Sequence, residues 1–343
     1  MSERGGDVRF GLMGCGAWGS HHARAIAKAG RLVAVAERSE EGRSAARAEH
    51  PGTVFYADYR EMLAKERLDV VDIVLPPHLH YDGAKAALEA GCHLLLEKPM
   101  CLELGQCDEL IALARGRGLK LAIGHEFRLS SLWGRVKEMV DAGAIGEPRY
   151  CLIELWRNPY RLGAEGWRYD IKRVGNWILE EPIHFFDLAR WYFGGVGDPV
   201  SVFALGSHVR DDHPELQDNF TAMITFPNGG YAVVGQTLAG YEHHQVVKLT
   251  GTQGALWASW SGAMDRTLHP THSLKHFDGK AVREIEIARH SGEVYELEEQ
   301  LANMAEVARG GRLRCATGED GRWSVALCVK AQESVDTGAP VRF

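Results

Sequence analysis

Two short segments of this 343-residue chain carry side chains that could move a proton. The first is Glu97-Lys98-Pro99, which follows the apolar segment of residues 92–96. A lysine at the end of a strand can polarise a substrate oxygen or exchange a proton with it, particularly where burial lowers the lysine pKa. A surface loop can contain the same triplet, so the triplet alone leaves both interpretations of Lys98 open.

The second segment is residues 180–187, with the sequence EEPIHFFD. In a helix, His184 would share one face with Glu180 and with Asp187. A histidine beside a carboxylate suits general acid–base catalysis, because the carboxylate fixes its tautomer and orientation. The alternative is a histidine whose polar atoms are satisfied within a helix packed by Phe185 and the neighbouring aromatic residues.

A third group combines flat aromatic rings with hydrogen-bonding side chains, which suit a polyhydroxylated ring. Packing in a core or an interface is the alternative for each of its members. We select Arg157, Asn158 and Trp167 from this group as candidate substrate-binding residues, beside Lys98, Glu180 and His184. The whole group comprises Trp156, Arg157, Asn158, Tyr160, Trp167, Arg168, Tyr169, Asn176 and Trp177.

The segment Gly14-Cys15-Gly16-Ala17-Trp18-Gly19 predicts a cofactor site, because a predicted strand precedes it and a predicted helix follows it. In such a unit Gly14 permits the tight turn, Gly16 lets the backbone approach a pyrophosphate, and Gly19 lets helix and strand pack closely. The helix N-terminus adds free N–H groups and a positive dipole end for the phosphates. A structural turn without a ligand is the alternative.

The acid that follows the second strand predicts which dinucleotide binds. Glu37 lies 21 residues after Gly16, where a carboxylate can accept hydrogen bonds from the adenosine ribose and repel a 2′-phosphate. NAD is therefore the predicted cofactor, although Arg38 next to Glu37 can pair with that phosphate, which leaves NADP possible. The other candidate cofactor-binding residues are in the glycine motif or near strand ends: Ala17, Trp18, Pro76, Pro77, His80, Glu97 and Lys98.

The first third of the chain alternates strand and helix, and the rest does not. This alternation predicts an α/β fold with a doubly wound parallel sheet, whose ligands bind beyond the carboxyl ends of the strands. After Gly124, hairpin turns such as Pro227-Asn228-Gly229-Gly230 separate short strands, with helices expected over residues 175–193 and 298–309. We predict a Rossmann domain over residues 1–125 and an α+β domain with a mostly antiparallel sheet over residues 126–343.

Composition excludes several classes of protein. The apolar content of 45% and charged content of 25% are those of a globular protein, and the net charge of −7 argues against a nucleic-acid partner. No apolar run reaches membrane-spanning length, and the polar N-terminal residues 1–7 lack a signal core, so we expect a cytoplasmic protein. The seven scattered cysteines, without a CxxC pair, predict reduced thiols.

The 16 histidines form several close pairs, which raises the question of a metal site. None of the pairs His21-His22, His78-x-His80 and His243-His244 has a matching cysteine or carboxylate at a recognised zinc spacing. We predict that the protein has no metal site.

Taken together, the glycine motif with His22 downstream, the Glu97-Lys98-Pro99 triplet and the segment around His184 resemble one family. It comprises glucose–fructose oxidoreductase, inositol dehydrogenase and the rhizopine-catabolism dehydrogenases (Gfo/Idh/MocA). The resemblance covers nearly the whole chain. It implies a Rossmann domain followed by an α+β domain whose large open sheet mediates assembly, here into a homodimer or homotetramer.

The resemblance also implies hydride transfer between a nicotinamide and a hydroxyl-bearing carbon of a sugar, sugar acid or cyclitol. The motif lysine of the family corresponds to Lys98 and the motif histidine to His184. In oxidation His184 would accept the hydroxyl proton, directly or through Lys98, while Lys98 holds the oxygen. The chain departs from the family pattern at Glu180, usually an aspartate, and at Pro182, usually a small residue. Glu180 is expected to orient His184 or to contact the substrate.

Two other functions stay open within the same resemblance. Some relatives use transient oxidation to epimerise or cleave glycosides without net redox change, and another relative is a non-catalytic sensor. The resemblance further implies that the Lys98–Pro99 peptide bond is cis. We also expect Lys98 and His184 to come from different domains and to converge near the nicotinamide.

Overall fold

The computed structural model describes residues 7–213 and 215–343. The N-terminal segment of residues 1–7, in which the sequence showed no signal core, therefore lies outside the described residues except for Asp7. The described chain divides into two compact units. The first contains residues 7–126 and Leu297–Arg322, and the second contains Phe127–Glu296 and Trp323–Phe343. The segment Leu297–Arg322 falls in the interval predicted for the second domain, but it clusters with the first unit because a short strand within it extends the first sheet.

The first unit is built on a seven-stranded sheet in the order β15-β6-β5-β4-β1-β2-β3. All its neighbouring strands pair in parallel except β15, which is antiparallel to β6. The predicted parallel Rossmann sheet is therefore confirmed. The strands are β1 (Arg9–Met13), β2 (Arg31–Ala36), β3 (Val54–Tyr56), β4 (Val70–Ile73), β5 (His93–Leu96), β6 (Leu121–Ile123) and β15 (Ala316–Thr317).

Helices connect these strands, as the alternation of the sequence predicts. The helix after β1 packs on β1 and β2, and the helices that follow β3, β4 and β5 pack side by side. The helix after β2 begins at a serine cap, since the Ser39 hydroxyl accepts from the Gly42 N–H at 3.1 Å. The helices are α1 (Gly19–Ala29), α2 (Glu40–Glu49), α3 (Tyr59–Lys65), α4 (His80–Glu89) and α5 (Leu104–Gly116).

The second unit is built on a nine-stranded sheet in the order β14-β13-β12-β11-β7-β10-β9-β8-β16. Its pairs are antiparallel except for β7 with β10, so the prediction of a mostly antiparallel sheet is confirmed. The strands are β7 (Pro148–Arg157), β8 (Ser201–Ser207), β9 (Asn219–Thr225), β10 (Tyr231–Thr237), β11 (His243–Gly251), β12 (Ala255–Gly262), β13 (Thr271–Phe277), β14 (Val282–Glu284) and β16 (Val341–Arg342).

One face of this sheet is buried and the other is exposed. Along β9, for example, Phe220, Ala222 and Ile224 are buried, whereas Thr221 and Met223 between them are exposed. Such alternation is typical of an antiparallel sheet with one covered face. The helices of this unit are α6 (Trp133–Asp141), α7 (Ile171–Val174) and α8 (Pro182–Tyr192), of which α8 packs on β7 and β10. Two further helices contribute residues to both units: α9 (Glu293–Ala308) and α10 (Gly318–Thr337).

The cysteines and the helices bear on two properties of the chain as a whole. All seven cysteines are buried and free, as their scattered spacing predicts. In the stretches 7–213 and 215–343, no helix has the length and apolar character needed to span a bilayer.

Candidate active site

The glycine motif forms the turn between β1 and α1, as predicted. Gly14 has a φ of +87°, which favours glycine, and its N–H donates to the Ala36 carbonyl at 2.8 Å. A Cβ on Gly19 would lie 2.2 Å from the Gly14 oxygen, so only glycine allows the helix to begin this close to the turn. Gly16 and Ala17 are exposed, and a Cβ on Gly16 would have no atom within 4 Å. This open backbone beside a helix N-terminus fits a dinucleotide pyrophosphate.

Glu37 follows β2 and turns its carboxylate toward the glycine turn. Its Oε2 accepts from the Cys15 N–H at 3.0 Å, and its Oε1 accepts from the Ser39 N–H at 2.9 Å. Arg43 donates to the main-chain carbonyls of Glu37 and Arg38, at 2.7 and 2.6 Å, which fixes the loop after the strand. Glu37 is half-buried and Arg38 is exposed. The acid thus lies at the edge of the glycine turn, where an adenosine ribose would be expected.

The end of β4 leads through Pro76 and a short 3₁₀ turn, Pro77–Leu79, to α4. His80 begins that helix and is fully buried. Its Nδ1 lies 2.7 Å from the Pro99 carbonyl and its Nε2 lies 2.7 Å from the Leu75 carbonyl, and burial lowers its pKa despite these contacts. The buried ring thus joins the loops after β4 and β5 through two carbonyls, and its contact with a cofactor stays a prediction.

The Glu97-Lys98-Pro99 triplet follows β5 directly. The Lys98–Pro99 peptide bond is cis, as predicted. Lys98 is half-buried, and its main-chain N–H donates to Oε2 of Glu97 at 3.2 Å. The other carboxylate oxygen, Oε1, accepts from the indole N–H of Trp18 at 3.1 Å. Trp18 belongs to the glycine motif, so one carboxylate joins the predicted cofactor loop to the main chain of the predicted catalytic lysine.

A buried charge network completes this region and was not predicted. Nδ1 of His22 lies 2.7 Å from Oδ2 of Asp72, and its Nε2 lies 3.3 Å from Oε1 of Glu97. Burial alone would lower the pKa of His22, but the two carboxylates raise it to about 9. Burial opposes ionisation of Glu97 as well, yet His22, Lys98 and Trp18 lower its pKa to about 2. The sequence signal was an aspartate inside the apolar segment of residues 70–74.

In the second unit, His184 lies in α8 and is only 5% exposed. Its ring packs on Phe127, with 5.1 Å between the ring centroids. Asp187, one turn further on, forms a bidentate pair with Arg128, both distances being 2.8 Å. The helix starts at Pro182, so the prediction that Glu180 and His184 share a helix face is wrong. Proline favours the first helical turn, because it has no N–H to leave unsatisfied there.

Glu180 follows a 3₁₀ turn, Trp177–Leu179, and is buried. Its Oε1 forms an ion pair with Nε of Arg168 at 2.9 Å. The guanidinium of Arg168 also lies over the ring of Trp167, 5.4 Å from its centroid. The structure therefore brings Glu180 together with two members of the aromatic and polar group.

Arg157 ends β7 and is 6% exposed. Its guanidinium lies 3.1 Å from Glu181 and 3.6 Å from Asp265, so both of these carboxylates compensate one buried cation. Asn158 next to it is exposed. Of these two predicted substrate-binding residues, Arg157 is held by ion pairs and Asn158 presents its side chain to solvent.

Two acidic residues near this cluster, Asp265 and Glu293, were not predicted from the sequence. Asp265 also pairs with Arg161 at 3.0 Å, and Glu293 lies 3.5 Å from Arg266. Burial raises the pKa of Glu293 to about 8, and the charges of Asp265 and Glu181 add to this effect. Across residues 7–213 and 215–343, no group of three or more histidine, cysteine or acidic side chains is placed to hold a metal ion.

Comparison with known proteins places these sites in context. The model of an oxidoreductase family with an NAD-binding Rossmann fold, named GFO_IDH_MocA, matches residues 8–125. The model of the GFO/IDH/MocA C-terminal domain matches residues 133–257.

Individual relatives cover much of the chain. The uncharacterized oxidoreductase YrbE of Bacillus subtilis (strain 168) is 28% identical over 339 residues, which is 96% of this chain and 95% of that protein. The dTDP-3,4-didehydro-2,6-dideoxy-alpha-D-glucose 3-reductase of Streptomyces violaceoruber is 33% identical over 241 residues, 69% of this chain and 66% of that protein. The crystal structure of aldose-aldose oxidoreductase from Caulobacter crescentus complexed with glycerol has a TM-score of 0.84 and 21% identity, covering 98% of this chain and 100% of that one.

Proposed function

The chain belongs to the GFO/IDH/MocA family of oxidoreductases, and on that premise we propose that it transfers hydride between NAD and a hydroxyl-bearing carbon of a sugar, sugar acid or cyclitol. The observation that carries this proposal is the hydrogen bond of 3.1 Å from Trp18 in the glycine motif to Glu97. It joins the turn suited to a dinucleotide to the segment that holds Lys98. A lysine near a nicotinamide is placed to handle a reacting oxygen.

The glycine motif and Glu37 would hold the dinucleotide, and bound NAD would supply the acceptor for the hydride. Lys98 then holds the substrate oxygen and stabilises the negative charge that develops on it. His184 accepts the hydroxyl proton, directly or through Lys98. We assign Glu180 to substrate contact rather than to orienting His184, because its carboxylate is paired with Arg168 and it precedes the helix that carries His184.

The proposed preference for NAD over NADP rests on Glu37. Its carboxylate is fixed by the N–H groups of Cys15 and Ser39, so it stays at the edge of the glycine turn as a fixed negative charge. A 2′-phosphate would bring a second negative charge to that edge and would be repelled. Exposed Arg38 is the residue that would reduce this preference.

The substrate class rests on the relatives and on the polar cluster. One relative is named as a reductase of a dideoxy-glucose nucleotide, and one structural neighbour as an aldose oxidoreductase. In the second unit, Trp167 offers a half-buried ring beside the Arg168–Glu180 pair, and Asn158 offers an exposed amide. Rings beside hydrogen-bonding groups suit sugars and cyclitols.

The test is a panel of sugars, sugar acids and cyclitols, assayed for reduction of NAD and of NADP. Turnover with one of these classes would support the proposal, and absence of turnover with all of them would contradict a dehydrogenase. Nicotinamide that copurifies with the protein, without net reduction of added coenzyme, would instead indicate a redox-neutral reaction. Binding of sugar or coenzyme without any chemistry would indicate a sensor.

We also propose that the exposed face of the second sheet joins copies of this chain into a homodimer or homotetramer. Large apolar side chains point outward from four strands: Trp156 is 49% exposed, Leu205 60%, Met223 40% and Trp257 53%. The strand register places Trp257 and Met223 in one row with half-buried Leu152 and Val233, and an exposed apolar row of this kind favours an interface. Light scattering during gel filtration should give a dimer or tetramer, and Trp257→Glu should lower its mass, whereas a monomeric wild type would contradict the proposal.

A further inference from the structure

Of the buried network of Asp72, His22 and Glu97, only the contact between Glu97 and Trp18 enters the proposed function. Every carboxylate oxygen of Glu97 is used: Oε2 accepts from the Lys98 N–H, while Oε1 faces both Trp18 and His22. Glu97 is 7% exposed, and His22 and Asp72 are fully buried. Buried charges are expensive unless they are paired, so such an arrangement needs a reason.

We propose that Glu97 is a positioning residue for Lys98, and that His22 and Asp72 set the electrostatic potential at Lys98. The inference rests on the proposed function, in which Lys98 handles the reacting oxygen. It adds three residues that need not contact the substrate and that act through the lysine.

Residues from several helices and strands fix the position of the Glu97 carboxylate. Trp18 at the start of α1 and His22 one turn later hold Oε1, and the main chain after β5 holds Oε2. On a further side, a Cβ on Gly124, just after β6, would lie 3.0 Å from the carboxylate carbon. The missing side chain of Gly124 therefore leaves the space that the carboxylate occupies.

The charges of these elements can be counted. Glu97 follows β5 and is negative, Asp72 from β4 is negative, and His22 from α1 is positive; Trp18 and Gly124 bring no charge. The network carries a net charge of about −1, and Lys98 interacts with it, since the positive charge of Lys98 lowers the pKa of Glu97. The positive charge of His22 opposes the effect of the two carboxylates on Lys98. Removing the anion and removing the cation should thus change Lys98 in opposite directions.

The experiment measures how fast acetic anhydride modifies Lys98 in the protein without coenzyme or substrate, by peptide mass spectrometry. The exposed Lys120 in the same protein is the internal reference. We expect Glu97→Gln to raise the relative rate about 3-fold or more, because loss of the anion lowers the lysine pKa and so increases the fraction of unprotonated, reactive amine. We expect His22→Gln to lower the rate by about the same factor, because the carboxylate then acts without a compensating cation.

The proposal requires the Lys98 rate to change in opposite directions in the two variants. A general loosening of the structure around Lys98 would instead raise the rate in both. Changes in the same direction, or no change in either variant, would overturn it. Glu103→Gln, an exposed acid six residues after Glu97, is the matched control and should leave the rate as in the wild type.

A second variant covers the case in which His22→Gln does not fold. Gly124→Ala retains every charge but places a methyl group against the Glu97 carboxylate, so the Lys98 rate should rise about 2-fold as the anion is displaced. Gly105→Ala, where a Cβ meets no atom within 4 Å, is its control. An unchanged Lys98 rate in Gly124→Ala would contradict the proposal.

These rates need neither coenzyme nor substrate, so they are independent of the proposed function. Calorimetric titration of the wild type with NAD tests that function separately. Absence of NAD binding would refute the dehydrogenase while the Lys98 rates still decide whether Glu97 positions the lysine.

Discussion

In the first unit, the buried charges form a chain from Asp72 through His22 to Glu97, which ends at the main chain of Lys98. In the second unit, the buried charges form compensated groups: Arg157 lies between Glu181 and Asp265, and Arg168 pairs with Glu180. The first arrangement has two carboxylates and one histidine, and the positive charge of Lys98 helps to lower the pKa of Glu97 at its end. In the second, the numbers are equal: Arg157 and Arg161 share the carboxylates of Glu181 and Asp265, and Arg168 has that of Glu180.

This difference has a physical consequence. A charge chain with a net charge acts on the next ionisable group. A group with equal numbers of cations and carboxylates acts more weakly outside itself: Asp265 and Glu181 raise the pKa of Glu293 less than burial does. We therefore expect substitutions in the first unit to change the chemistry of Lys98, and substitutions of Arg157 to change mainly the stability of the fold.

The largest effect is expected for Arg157→Ala. Its guanidinium is buried, and removing it leaves Glu181 and Asp265 without their shared cation, which should lower the free energy of unfolding by about 3–5 kcal/mol. Arg149→Ala on the same strand is the matched control, because its pair with Glu147 is about half exposed and should contribute less than about 1 kcal/mol. Urea unfolding measures both, and equal losses would contradict the assignment of Arg157 to stability.

The next effect is the pH dependence that His22 gives to stability. Its pKa is about 9 in the folded protein and 6.5 as a reference for the unfolded chain, so its contribution is fully present below pH 6.5 and is lost as the pH rises through 9. The difference corresponds to about 3 kcal/mol, since one pKa unit is about 1.4 kcal/mol.

Urea unfolding of the wild type and His22→Gln between pH 6 and pH 9.5 checks this. The stability advantage of the wild type should shrink across that range. Ser20→Ala, a change of a residue without a titratable side chain on the same helix, should show no such trend. An advantage that is constant with pH would mean that His22 is not held as a cation.

How much of this contrast is visible in the sequence depends on the range of each interaction. The glycine turn, Glu37 and the Lys98 segment are set by local chain geometry, and the structure places them at the predicted strand ends. The cis bond before Pro99 was implied by the family resemblance and is confirmed. Alternating apolar residues similarly predict the hairpins of the second sheet.

The contacts that sequence could not predict join distant residues. His22 and Asp72 are 50 positions apart, and no pattern in either segment indicates that the two side chains pair. Helix periodicity suggested that Glu180 faces His184, but Pro182 begins the helix after Glu180, whose carboxylate then pairs with Arg168. The two-residue strand β15 is too short to leave an apolar pattern, which is why the return of the chain to the first sheet went unpredicted.

Lys98→Ala tests the functional side of the contrast. We expect kcat to fall by about 100-fold or more, because the lysine handles charge on the reacting oxygen, while the Kd for NAD stays within about 3-fold. Steady-state kinetics with the substrate found in the panel and calorimetry with NAD supply the two values. Lys120→Ala, which removes an exposed lysine, should retain wild-type kcat. A Lys98 variant with near-normal kcat would remove this residue from the mechanism.

The smallest effect is expected for Glu37→Ser, which removes a negative charge from the edge of the glycine turn but retains a hydroxyl for the ribose. Because Glu37 is half-buried and fixed by two N–H groups, its charge has a constant place relative to a bound 2′-phosphate. Relief of that repulsion should tighten NADP binding about 10-fold, a change of about 1.4 kcal/mol, while NAD binding weakens slightly. Calorimetric titration with both coenzymes gives the ratio of Kd values, and Glu41→Ser, an exposed acid in the first turn of α2, should leave it unchanged. If Glu37→Ser does not shift the ratio toward NADP, then this carboxylate does not select the coenzyme, and the discrimination must come from Arg38 or from another residue of the loop after β2.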